Sequence, residues 1–255
     1  MTLVLRSARS LDRGGRAELF TSAYEDYLLP FQIDEPMLAS MEEKLDIDVD
    51  ASRIAFRDGE PVGLGNVAIR GEDAWIGGVG VVPAARRSGI GEALMRALHD
   101  EAGERGVERV WLEVIVENTG AFALYQKLGY ELVQDVEVWT LPGAEGSHQG
   151  REVPVEEAKA RLPEHHEPWQ RADGTLAHDD DVRGLVTDGG AMLFCVRSNA
   201  QLQQYGGEPE ALLRALRTFG DVFVLNLPAD DPAAVVLRDL GGTVTVRQHE
   251  MVLSI

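Results

Sequence analysis

Two glycines between an apolar segment and a helical segment mark the part of this sequence best suited to binding phosphate. Residues 79–82 are apolar, a polar run from Arg86 to Gly91 follows, and residues 92–98 have a helical pattern. The first N–H groups of a helix have no partner inside it, and the helix dipole places positive charge there. Because Gly89 and Gly91 lack side chains, a pyrophosphate can approach the main chain. The segment therefore predicts a phosphate-binding turn.

The spacing of this turn differs from that of two other phosphate loops. Neither G-x-x-x-x-G-K-[ST] nor G-x-G-x-x-G occurs here, which argues against a P-loop and against the dinucleotide fingerprint. What occurs instead is R-x-x-G-x-G, from Arg86 to Gly91.

A second segment, from Val110 to Tyr130, combines a strand pattern with a short helix. The β-branched stretch ends before Asn118, a favoured N-cap residue type, and the helical pattern ends at Gly129. It fits N-x-x-A-x-x-L-Y-x-K-x-G-F/Y at Asn118, Ala121, Leu124, Tyr125, Lys127, Gly129 and Tyr130.

Together the two segments resemble the pyrophosphate loop and the second diagnostic stretch of the GNAT acetyltransferases, in that family's order. The resemblance extends to about Leu141. It implies an α/β (α+β) fold of the acyl-CoA N-acyltransferase type, with a mixed, mostly antiparallel sheet flanked by helices. It also implies transfer of an acyl group, most often acetyl, from acetyl-CoA as co-substrate to a primary amine in a ternary complex.

The resemblance assigns tasks to individual residues. It implies that exposed main chain around Val79 and Val81 pairs with pantetheine, as an added strand would. It implies that Tyr125 lies near the sulfur of CoA and protonates the leaving thiolate. The remaining cofactor-binding residues, in the pyrophosphate loop and at the second helix start, are expected to be Arg86, Arg87, Ser88, Gly89, Ile90, Gly91 and Asn118.

A general base is also expected, because amines such as that of lysine have a pKa near about 10.4 and are mostly protonated at neutral pH. Glu113 is the first candidate, because a carboxylate in the middle of an apolar strand is unusual unless it has a function. Asp73 and Glu117 are alternatives. The acceptor pocket is expected near Tyr24, Tyr27, Phe31 and Met37, which can equally be core residues.

These residues must be positioned by a regular series of elements. Periodicity and turn signals predict strands at 3–8, 53–57, 61–70, 74–82, 110–116 and 131–140, and helices at 12–27, 36–45, 91–105 and 119–128. We expect a GNAT domain over 1–143, a linker over 144–152 and a second domain over 153–255 that opens with a helix at 153–162.

The second half repeats the first weakly, which indicates a duplicated domain. Residues 210–216 echo 92–98, and 223–241 echo 111–129. The phosphate loop is not kept, because Glu208 places a carboxylate there and Pro209 removes a donor. We expect this degenerate copy to bind no CoA. It would pack on the first domain and close the acceptor pocket or form a homodimer contact.

Composition limits the partners. The formal net charge is −19, which disfavours nucleic acid and anionic lipid and can attract a cationic amine. Segments apolar enough to span a membrane are missing, and the single cysteine, Cys195, is expected to be buried in a cytoplasmic protein. His165, His166 and His178 fit no zinc pattern, so we expect no metal.

The sequence thus predicts an acyl-CoA-dependent N-acetyltransferase acting on a small-molecule amine that the sequence does not identify. The alternative is a non-catalytic acyl-CoA-binding or regulatory protein, which the erosion of the second copy keeps open.

Overall fold

A computed structural model describes residues 2–26, 32–146 and 150–255 of the chain. The chain forms two compact units. Unit 1 contains Met1–Val133 together with the last five residues, Met251–Ile255, and unit 2 contains Gln134–Glu250.

The described part of unit 1 is a mostly antiparallel sheet with four α-helices. Its strands lie in the order β1-β2-β3-β4-β5, followed by the last residues of β12 (Thr243–Ser254), and the pair formed by β4 and β5 is parallel. The elements are β1 (Leu3–Ser7), α1 (Arg13–Ala23), α2 (Glu35–Lys44), β2 (Arg53–Arg57), β3 (Glu60–Arg70), β4 (Asp73–Val81), α3 (Ile90–Glu104), β5 (Arg109–Ile115), α4 (Thr119–Lys127) and the start of β6 (Glu131–Leu141).

Short polar residues fix where the helices of unit 1 begin. The side chains of Asp12, Asp34 and Asn118 accept hydrogen bonds from main-chain N–H groups at the starts of α1, α2 and α4. Asp58 and Gly59, both with positive φ, form the turn between β2 and β3. The predicted order of elements in unit 1 is confirmed.

Helix α3 packs against strand β5 in the core of unit 1. Met95 and Leu98 on α3 are fully buried in the same apolar cluster as Val110, Leu112 and Val114 on β5. Truncating a side chain such as Leu98 to alanine in such a core costs about 2–5 kcal/mol. The helix and the strand are therefore held rigidly against each other.

Unit 2 has a sheet with the order β12-β6-β11-β10-β9-β8-β7, in which β10 and β11 are parallel. Its further elements are β7 (Arg151–Val153), α5 (Val155–Lys159), α6 (Asp173–Leu176), β8 (Arg183–Val186), β9 (Gly190–Val196), β10 (Ala200–Gly207), α7 (Pro209–Leu216), β11 (Val222–Pro228), α8 (Pro232–Asp239) and β12 (Thr243–Ser254).

The predicted helix at 153–162 is wrong at its start. Val153 pairs with Gly184 as the last residue of β7, and Pro154 follows as the N-cap of the short helix α5. Proline disfavours helical conformation at the residue before it, so Val153 takes the strand instead. Of the predicted linker, residues 147–149 lie outside the described parts of the chain.

Candidate active site

The two parallel strands β4 and β5 part in the middle of unit 1. Their register pairs run only from Asp73–Arg109 to Trp75–Trp111 along these fully described strands. Strand β4 continues to pair with β3 as far as Val81. The main chain of β4 beyond Trp75 therefore offers polar groups on its β5 side that an extended ligand can pair with.

The side chains of Val79 and Val81 lie on the α3 side of β4. Both pack against the cluster that contains Ile90 and Leu94 of α3. On the opposite side, a Cβ at Gly80 would lie 2.8 Å from the Cβ of Ala23, so α1 packs directly on the main chain of β4 there. The expected pantetheine-binding segment is thus a rigid strand edge.

The turn after β4 presents a run of main-chain donors. Arg87 and Gly89 have positive φ values of 58° and 83°, and α3 begins at Ile90. The first hydrogen bond of α3 runs from the N–H of Ala93 to the carbonyl of Gly89, at 3.0 Å. The N–H groups from Arg87 to Glu92 have no hydrogen-bond acceptor within the described residues. Successive N–H groups in such a turn form an anion-binding concavity.

Neither glycine of this turn is needed for packing. A Cβ at Gly89 would have no heavy atom within 4 Å, and the positive φ of this residue is its only conformational demand. A Cβ at Gly91 would lie 3.8 Å from Leu124 Cδ2, an ordinary contact. The space above both residues is therefore open to a ligand.

The three polar side chains of the turn differ in their contacts. Arg86 donates to the carbonyls of Val81, Ala23 and Glu25, so it ties the turn to the end of α1. This is a different task from the phosphate contact expected of it. Ser88 Oγ donates to the carbonyl of Ala85 and accepts from Arg57. Arg86 and Arg87 are both exposed, and Arg87 makes no side-chain hydrogen bond or ion pair with the described residues.

Helix α4 brings Tyr125 to the same core as α3. Asn118 caps the helix by accepting from the N–H of Ala121 at 3.2 Å. The half-buried ring of Tyr125 packs against the ring of Tyr130, with 5.8 Å between centroids. Tyr125 therefore lies on the inner face of α4, packed against the buried cluster of unit 1.

Tyr130 is held in turn by a histidine. Its hydroxyl lies 2.9 Å from His99 Nε2 on α3. Burial lowers the pKa of His99 to about 4 and raises the pKa of Tyr130 well above its ordinary value. The imidazole is therefore neutral near pH 7, and a hydrogen bond joins it to the tyrosine hydroxyl.

Among the three carboxylates considered as base, Glu113 has the most suitable surroundings. It is half-buried on β5, two residues beyond the last register pair, and its Oε2 accepts from Trp75 Nε1 at 2.8 Å. Asp73 is bound by Arg109 through two hydrogen bonds and by Trp111. Glu117 is exposed in the turn after β5.

Of the residues expected near the acceptor pocket, one packs in the core and one is exposed. Tyr24 stacks on Phe20 with 4.7 Å between ring centroids, and Met37 is exposed. Tyr27 and Phe31 lie outside the described residues. Cys195 is buried, and burial raises its pKa to about 11.

Comparison with known proteins now decides the family. The family model described as the acetyltransferase (GNAT) family matches residues 18–130. The chain is 30% identical over 118 residues to the aminoglycoside N(6')-acetyltransferase type 1 of Salmonella typhimurium, covering 43% of this chain and 81% of that protein. This chain is a GNAT family member.

A shorter stretch is more similar to another N-acetyltransferase. The chain is 42% identical over 59 residues to the [ribosomal protein bS18]-alanine N-acetyltransferase of Escherichia coli, covering 23% of this chain. The match spans 40% of the length of that relative.

The GNAT fold extends over both units. A solved tandem GNAT protein from the clavulanic acid biosynthesis pathway aligns with 99% of this chain and 98% of its own, at 16% identity and a TM-score of 0.66. No helix in the described part of the chain is long and apolar enough to cross a membrane.

The second unit keeps the strand separation of a GNAT domain but not its turn. Register pairs between β10 and β11 end at Leu202 and Val224. Glu208 stands as the N-cap of α7, Pro209 follows, and the Glu208 side chain caps no N–H group. The buried guanidinium of Arg171 donates to the carbonyls of Gln203 and Asn226, beyond the paired part of these strands.

Proposed function

We propose that this chain is an N-acetyltransferase that moves the acetyl group of acetyl-CoA directly to a primary amine in a ternary complex. The observation that supports this most is the run of unpaired N–H groups from Arg87 to Glu92, beside the separated edge of β4. This juxtaposition offers one site for a pyrophosphate and one for an extended amide chain.

The cofactor would occupy both sites at once. The main chain of the turn holds the pyrophosphate, and the exposed Arg87 adds a charge-assisted contact. Gly89 and Gly91 leave the approach open, while Arg86 and Ser88 hold the turn in shape. The β5-facing edge around Val79 and Val81 pairs with pantetheine, which directs the thioester between the strands.

Two side chains would carry the proton transfers. Glu113, directly or through water, takes a proton from the ammonium, so that the free amine attacks the thioester carbonyl. As the tetrahedral intermediate collapses, the carbon–sulfur bond breaks and Tyr125 gives its proton to the thiolate of CoA. The nitrogen loses its second proton in this step, which restores the Tyr125 hydroxyl through solvent, and Glu113 then releases the first proton to solvent. The products are the acetylated amine and CoA.

The acceptor is proposed as a small molecule with a primary amine. The similar proteins carry names that specify acceptors of different kinds, an alanine of ribosomal protein bS18 and the 6' nitrogen of an aminoglycoside. The net charge of −19 favours the approach of a cationic amine.

Within the chain, we propose that residues 1–143 carry the chemistry and that 153–255 serve as structure. Glu208, Pro209 and Arg171 support the view that the second copy binds no CoA. A face of this copy would join two chains in a homodimer.

Two measurements test the proposal. Calorimetric titration with acetyl-CoA should show binding, and a thiol-release assay should show turnover on a panel that contains an alanine-terminated peptide, an aminoglycoside and simple diamines. Binding without turnover on any amine would favour a non-catalytic acyl-CoA-binding protein. Absence of binding would contradict both functions.

A further inference from the structure

One hydrogen bond joins β4 to β5 at the point where their main-chain pairing ends. Trp75 is the last residue of β4 that pairs with β5, and its partner is Trp111. The indole of Trp75 donates from Nε1 to Oε2 of Glu113 at 2.8 Å. Because Trp75 is only 6% exposed, its ring is fixed by packing and the donor has a defined position.

The main chain of β4 is shaped to hold this ring. The register between β3 and β4 shifts after Asn66, which leaves Gly77 as an extra residue of β4. A Cβ at Gly77 would lie 2.6 Å from Cζ3 of Trp75, closer than real Cβ atoms approach. The indole therefore lies directly against Gly77, and any side chain there would push it away.

We propose that Trp75 is a positioning residue for acetyl transfer, which holds the carboxylate of Glu113 at the opening between β4 and β5. This inference rests on the proposed function, in which Glu113 is the base. An N–H that donates to a carboxylate stabilises its charged form and restricts its rotamers. The nearby charged groups along β4 and β5 are Asp73 and Arg109, which are paired with each other.

The chain supplies a matched control. Trp111 stands opposite Trp75, and its indole donates to Oδ1 of Asp73 at 2.9 Å. Trp75→Phe and Trp111→Phe thus each remove one indole donor to a carboxylate, at the same level of the sheet. Only the first variant should affect the reaction.

We expect Trp75→Phe to lower kcat between about 10- and 100-fold, because a base displaced by about 1 Å loses this much. Its Kd for acetyl-CoA should stay unchanged, since the pyrophosphate turn is untouched. Trp111→Phe should leave both quantities within about twofold. Equal loss of kcat in the two variants, or none in Trp75→Phe, overturns the proposal.

Making Trp75→Phe in a chain that already lacks the Glu113 carboxylate distinguishes a positioning role from general damage to the fold. In a Glu113→Ala chain, adding Trp75→Phe should cause no further loss of kcat, because its effect passes through the missing carboxylate. A full additional loss means that Trp75 acts on the fold rather than on Glu113.

The hydrogen bond between Trp75 and Glu113 can be detected by NMR without an activity assay. The chain has four tryptophans, so the indole N–H signals in an NMR spectrum can be assigned one by one with tryptophan-to-phenylalanine variants. Glu113→Ala should move the Trp75 signal and leave that of Trp111 in place. An unmoved Trp75 signal overturns the proposal even in an active enzyme, whereas a wild-type chain inactive on every amine removes the proposed function and the positioning role together.

Discussion

Arg171 donates from Nε to the main-chain carbonyl of Gln203 at 2.5 Å, beyond the last residue of β10 that pairs with β11. The equivalent strand edge in unit 1 is open to a ligand. In unit 2 a guanidinium from the same chain uses the polar groups of that edge, and it is almost completely buried there. The second unit therefore satisfies internally the kind of strand edge at which we propose that the first unit binds acetyl-CoA.

The first prediction concerns stoichiometry. We expect calorimetry to give one acetyl-CoA per chain. In unit 2, Arg171 occupies the strand edge that would pair with a second cofactor. Glu208 adds a negative charge where its phosphate would lie, and Pro209 lacks an N–H donor. A fitted value of two sites per chain would contradict this assignment.

The second prediction concerns stability. Arg171 also pairs with the largely buried Glu167, whose pKa is raised chiefly by burial. Arg171→Leu removes the buried partner of this carboxylate, leaves it beside the half-exposed His165 and should lower the free energy of unfolding by about 3–5 kcal/mol. Arg214→Leu, which breaks an exposed pair with Glu210, should cost about 0.5 kcal/mol at most. Urea denaturation measures both, and comparable costs in the two variants would show that Arg171 has no special role.

The third prediction tests the pyrophosphate turn through Gly91. Gly91→Glu puts a carboxylate among the free N–H groups and should abolish measurable acetyl-CoA binding, while the fold tolerates it because the site is open. Gly91→Ala is the control, since its Cβ makes only an ordinary contact with Leu124 and the residue suits a helix. Gly89 is less informative, because any side chain is strained at its φ of 83°. An unchanged affinity of Gly91→Glu for acetyl-CoA would show that the cofactor does not bind at this turn.

The fourth prediction removes the proposed acid. Tyr125→Phe keeps the ring that packs against Tyr130 and loses only the hydroxyl. Turnover should fall about 10²-fold with little change in acetyl-CoA affinity. Full turnover, under conditions where chemistry limits the rate, would exclude Tyr125 from the reaction.

The fifth prediction is a pH effect on stability at His99. Burial lowers its pKa from 6.5 to about 4, so the unfolded chain takes up a proton below pH 6.5 while the folded chain does so only near pH 4. The stability from neutral His99 is complete above pH 6.5 and is lost as the pH falls towards 4. Allowing for partial exposure, the loss is about 2 kcal/mol.

The variant His99→Gln isolates this effect, because its amide does not titrate and can still form a hydrogen bond with the Tyr130 hydroxyl. The free energy of unfolding should then depend less steeply on pH between 7 and 4.5 than in the wild type. Equal slopes in the two proteins would show that His99 is not shielded from protonation.

Local signals in the sequence predicted the elements of unit 1 well. The N-cap at Asn118 and the glycine turn before α3 each depend on residues close in sequence, and the structure has both where they were predicted. The first helix ends at Ala23, earlier than predicted, and Asp26 with a φ of 59° follows it. An aspartate in the left-handed region is a helix-ending device that hydrophobic periodicity does not reveal.

The contacts between residues distant in sequence could not be predicted from local sequence patterns. Trp75 and Glu113 are 38 residues apart, and Arg171 and Gln203 are 32 apart. Nothing in the pattern around Arg86 indicated that its guanidinium would donate to main-chain carbonyls at the end of α1, and its expected phosphate contact stays a prediction. Such pairs depend on strand register and loop path, which only the folded chain defines.

The placement of Met251–Ile255 in unit 1 has a consequence for how the protein is made. Met251 is completely buried among the residues that support α3 and α4. During synthesis the ribosome must therefore translate all of unit 2 before unit 1 can complete its core. A chain that stops anywhere in the second half would lack Met251 and leave the core of unit 1 unfinished.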